Sequence, residues 1–171
     1  MKRGSAAYVA RLGVLTAVAL ALGWIDRMLP VSAVPGVKLG LANLVLLYAL
    51  YLMDNKTTVL LMLLKVFLTG LLFGASAWTF FVSLGGGVLS VCAMMLARCV
   101  PRIGIVPVSM AGAVFHIVGQ LAVILLLQMA PWQFVLVYLP VLGVAAVCTG
   151  LLTGVVAKYS LRAFAHAEKK G

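Results

Sequence analysis

Apolar runs long enough to cross a lipid bilayer recur from one end of this chain to the other, and they constrain its fold more than any motif does. A membrane-spanning helix needs roughly 20 mostly apolar residues to cover about 30 Å of hydrocarbon. Six segments qualify, at about 7–29, 38–53, 57–74, 77–97, 105–129 and 132–157. Runs spread over the whole length are not a single removable leader. The second is short and follows Pro35 and Gly36, so the preceding loop is expected to dip into the protein and complete the crossing, where protein or a wet cavity satisfies its backbone. The expectation is one domain over residues 1–171, an all-α integral membrane bundle of six transmembrane helices.

Composition agrees with this reading. Of 171 residues, 65% are hydrophobic and 9% charged, whereas a soluble domain carries about a quarter charged residues to cover its surface. With six spans, the basic residues fall on alternate connections. Lys2, Arg3, Arg11, Lys56, Arg98, Arg102, Lys158, Arg162, Lys169 and Lys170 collect on one side, Arg27 and Lys38 on the other. The positive-inside rule then places both termini in the cytoplasm of a multi-pass protein of the cell membrane. The net charge of +10 is a topology signal that also touches anionic membrane lipid, and it calls for no nucleic acid. Trp24, Trp78 and Trp132 fall near the outer ends, where amphipathic indoles favour the headgroup level. Only the first outer connection, 30–36, is long enough to act as a lid.

Catalytic signatures are missing. Asp26, Asp54 and Glu168 are the only acids and no two are neighbours, whereas metal-assisted chemistry on a diphosphate needs several carboxylates around magnesium. The chain has neither GxxxxGK[ST] nor GxSxG. Cys92, Cys99 and Cys148 have no paired spacing, so they are read as buried small apolar side chains rather than disulfide or zinc ligands. The expectation is a non-enzyme with no cofactor and no metal, drawing any energy for work from another subunit or an ion gradient.

Two further patterns carry information. Gly13, Ala17 and Ala21 form a smooth stripe on the first span, Ala146, Gly150 and Gly154 repeat it on the last, and Gly85, Gly86 and Gly87 thin the fourth. Such stripes let helix backbones approach closely, either inside this bundle or against a partner membrane protein. The second pattern is polar groups at depth. Lys65 sits near the middle of the third span with Thr69 one turn away, and His116 and Gln120 share a face of the fifth with Gly112. These groups converge if the third and fifth spans face each other. No acid is expected at the depth of Lys65, so an anionic ligand group would offset its burial. The alternative is a structural lysine solvated by carbonyls and water. Lys38 and Asn43 head the second span, either lining the mouth of such a site or acting as an interfacial anchor and a helix-to-helix hydrogen bond.

The segments GVKLGLANLVLLYAL, LLKVFLTGLLFG and GAVFHIVGQL, in this order, resemble the Gx transporter family over residues 11 to about 157. Many of its members are labelled heptaprenyl diphosphate synthase component I. The family is similar to the S components of energy-coupling factor transporters, six-helix proteins that capture small molecules outside the cell. The resemblance implies a transmembrane coupling protein and ATPase subunits as partners, with Gly13, Ala17 and Ala21 on the docking face. Its ligand residues would be Lys65, His116, Gln120, Asn43, Lys38 and Thr69, holding a small, partly apolar, anionic substrate. Two positions depart from the family: Lys65 stands where arginine is common, and Ile117 replaces a polar residue. Lysine keeps the charge but lacks the planar fork for bidentate gripping. The rival expectation is a non-catalytic membrane subunit associated with a prenyl diphosphate synthase in isoprenoid quinone biosynthesis.

Overall fold

The computed structural model describes residues 5–28, 41–74, 77–128 and 131–168. Over these it has six helices and no strand: α1 (Ala6–Met28), α2 (Leu41–Leu52), α3 (Asn55–Leu72), α4 (Ala77–Arg98), α5 (Ile105–Leu126) and α6 (Trp132–Glu168). Five are long and apolar enough to cross a membrane; α2 is the exception. Its 12 residues reach only about 18 Å at 1.5 Å per residue. The dipping loop and lid expected before it, with Lys38, lie outside the described residues.

Local chemistry sets the helix limits. The carboxylate of Asp54 accepts from the Thr57 amide at 2.6 Å and caps α3, starting the helix at Asn55, ahead of the apolar run. After α3 the chain turns at Gly74 with φ 60°, a left-handed conformation that closes helix ends and suits a residue without Cβ. Pro107 occupies the first turn of α5, where its missing N–H is not needed. The sixth helix continues past the span expected to end near residue 157. It runs 37 residues to Glu168, about 55 Å, far beyond a bilayer core. Hydropathy marks where lipid ends, and after Gly154 no glycine or proline occurs before Gly171 to end the helix itself.

The short helix α2 is the hub. It packs against all five others, while among the described residues α1 rests only on α2 and α3, and α6 only on α5 and α2. Val45, Leu46, Leu47, Ala49 and Leu50 of α2 are buried with Leu61, Met62, Val91 and Met94 in the main apolar cluster. A second cluster joins α5 and α6 through Ile117, Leu121, Val135 and Leu142. The outer faces are apolar as well. Leu126 is 80% exposed, Leu96 72% and Val137 69%, an outward surface that suits lipid.

Only two of the three small-residue patterns pack inside the bundle. Gly150 and Gly154 face α5 so closely that an added Cβ would lie 2.7 Å from the Met110 Cα and 2.9 Å from the Val106 Cα. Gly85 and Gly86 bring α4 against α5 in the same way. On α1, by contrast, Gly13, Ala17 and Ala21 are exposed, and a Cβ at Gly13 would meet nothing within 4 Å. The cysteines also correct the sequence reading, since Cys92, Cys99 and Cys148 are free thiols on exposed positions. A span's sequence gives their depth but not which way they face.

Polar contacts also join the helices. The Ser109 and Thr153 hydroxyls are 3.0 Å apart across α5 and α6, and Tyr8 and Thr57 pair at 3.0 Å across α1 and α3. Arg98, at the end of α4, donates to the Leu50 carbonyl of α2 and lies over the Tyr51 ring, 5.0 Å from its centroid.

Candidate ligand-binding site

A cavity of about 50 Å³ opens among five helices. Gly23 and Asp26 come from α1, Ala42 and Asn43 from α2, Met62, Lys65, Val66 and Thr69 from α3, Ser83 and Gly87 from α4, and His116 and Gln120 from α5. Helical spacing explains the set. Met62, Lys65, Val66 and Thr69 follow an i, i+3, i+4, i+7 pattern along one face of α3, and His116 and Gln120 lie one turn apart on α5. At this size the cavity has room for a few waters, so a larger guest must widen it.

The backbones of α3 and α5 do not touch. Their polar groups meet across the cavity instead, over the thin wall that α4 presents at its glycines. A Cβ at Gly87 would lie 2.9 Å from the Met62 sulfur, and one at Gly86 2.7 Å from the Gln120 Cγ and 2.9 Å from the His116 carbonyl oxygen. The missing side chains of α4 thus let Met62 from one side and His116 and Gln120 from the other reach the same space. The polar groups of α3 and α5 thus line one cavity although the two helices do not face each other directly.

Of the residues singled out in the sequence, Lys65, Thr69, His116, Gln120 and Asn43 line this cavity. Lys38 lies outside the described residues. Gly13, Ala17 and Ala21 do not line it. Gln120 and Asn43 are buried, at 7% and 8% exposure, and Asn43 Oδ1 accepts no hydrogen bond among the described residues. An amide carbonyl left unmade in a buried site is costly, so this atom is poised for a donor.

Asp26 and Ser83 were not foreseen. The expectation that no acid accompanies Lys65 is corrected by Asp26, which is 5% exposed and lines the same cavity. Counting from span ends misled here. With α3 running from Asn55 to Leu72, Lys65 sits in its second half rather than at its centre, nearer the end of the bundle where α1 finishes. A signal was present: Gly23 and Asp26 are three apart on one helical face, with the small residue leaving space beside the acid. Among the described residues no group of three or more His, Cys, Asp or Glu is placed to hold a metal ion.

The sequence model of a family described as heptaprenyl diphosphate synthase component I matches residues 15–161. No curated protein and no solved structure matches the chain.

Proposed function

The chain belongs to the heptaprenyl diphosphate synthase component I family, and from that premise we propose that it is the membrane-embedded substrate-binding subunit of an importer of the energy-coupling factor type. In this reading both termini are cytoplasmic, the segment before α2 completes a sixth crossing, and a small, partly apolar molecule with an anionic group enters from outside. The observation that carries it is the cavity, where five helices bring Lys65, His116, Gln120, Asn43 and Thr69 to one place inside a membrane-like bundle. Polar groups at membrane depth are expensive and mark ligand or ion paths. The exposed stripe of Gly13, Ala17 and Ala21 supports docking to a transmembrane coupling protein with its ATPase subunits, because the stripe does not serve internal packing.

Mass spectrometry of small molecules released from the detergent-extracted protein tests this reading. One molecule in near-stoichiometric amount is expected, and folded protein that releases none would count against it. The family description favours a second reading, a non-catalytic membrane subunit associated with a prenyl diphosphate synthase in isoprenoid quinone biosynthesis. That reading expects a purified synthase to bind this chain and change its condensation rate or membrane attachment.

A further inference from the structure

Asp26 changes the charge balance of the cavity. Among the described residues the lining carries one carboxylate, Asp26, and one ammonium, Lys65, with His116 as the remaining titratable group. A ligand carrying both an anionic and a cationic group presents each of these two side chains, Asp26 and Lys65, with an opposite charge, whereas one that is only anionic presents Asp26 with a like charge.

Asn43 supplies a second observation. Its side chain is 8% exposed, and its Oδ1 accepts no hydrogen bond among the described residues. Asp26 lies on α1 and Asn43 on α2, and these two helices pack together. That wall of the cavity is rich in acceptors. Lys65 and Thr69 lie on α3, which presents the ammonium. We propose that the cavity takes an amphoteric small molecule, its protonated amine donating to Asp26 and Asn43 and its anionic group meeting Lys65. The inference rests on the ligand-binding reading above and narrows the substrate class within it.

The test uses the full detergent-extracted chain and a small-molecule cell extract, separated by ion exchange into anionic, cationic, neutral and amphoteric pools. Thermal stabilisation of the protein by each pool is the readout. The amphoteric pool is expected to stabilise the parent most, and Asp26→Asn to need about tenfold more of it for the same shift. Asn43→Leu, which keeps the volume and removes the acceptor, carries the test should Asp26→Asn fail to fold. Its response to the amphoteric pool is expected to weaken while its unliganded melting temperature stays close to the parent's. Stabilisation by the anionic pool alone would overturn the amphoteric assignment and leave the binding reading standing. Stabilisation by the cationic or neutral pool alone would overturn the assignment in the same way. Stabilisation by no pool would overturn both, and an unchanged amphoteric response in both variants would remove Asp26 and Asn43 from the site.

Discussion

Gly86 of α4 lies flush against Gln120 of α5, so that a single added methyl at Gly86 would sit 2.7 Å from the Gln120 Cγ. The contact joins packing to the candidate site. The surface that lets α4 and α5 close on each other also places the Gln120 and His116 side chains in the cavity.

Gly86→Ala is therefore expected to destabilise the bundle by about 1–3 kcal/mol through overpacking and to shift His116 and Gln120 out of register with Lys65. Gly13→Ala should do neither, because its Cβ enters open space and alanine is the better helix former. Thermal unfolding of the two variants in the same detergent checks the contrast.

Replacing Gly13 or Ala17 with leucine should abolish copurification with a coupling subunit, since close backbone approach does not tolerate a branched side chain. The isolated protein should keep its melting temperature and its bound small molecule, because both positions are exposed. Loss of fold together with loss of the partner would show internal packing instead.

Lys65→Met deletes the ammonium and keeps an apolar chain of similar reach. Binding of the copurifying molecule should weaken at least tenfold, about 1.4 kcal/mol, in equilibrium dialysis. Equal binding by the variant would make Lys65 a structural partner of its surroundings.

Asp54→Ala removes the side chain that accepts from the Thr57 amide at 2.6 Å. The cost should be about 1 kcal/mol, read as a lower melting temperature, with ligand binding unchanged because Asp54 does not line the candidate cavity.

Ser32→Cys tests the orientation drawn from charge. In intact cells the thiol should react with a membrane-impermeant reagent from outside. Labelling confined to the cytoplasmic side would invert every span.

The membrane class and the helix positions were legible because both depend on local sequence. Apolar length sets a span, and among the described residues each of the six expected segments holds one helix, with ends set by capping, as at Asp54, or by continued helix propensity, as beyond Ala157. Lys65, His116, Gln120, Asn43 and Thr69 were legible for a related reason: polar groups in an apolar run stand out, since the run gives them no reason to be there.

Facing and neighbours were not legible. Two glycine patterns on α4 and α6 close the bundle while the stripe on α1 looks outward, although all are stretches of small residues at helical or adjacent spacing. The cysteines turned out exposed, and Asp26, placed by its sequence at a helix end beside Arg27, joined Lys65 in one cavity. Sequence by itself determined that this chain forms apolar helices with a few polar groups at depth, because hydropathy and capping act within one helix. Only the tertiary structure decided which of those groups meet, because that depends on helix rotation and on close contacts such as Gly86 against Gln120, which are settled between helices and leave no periodic trace in any one of them.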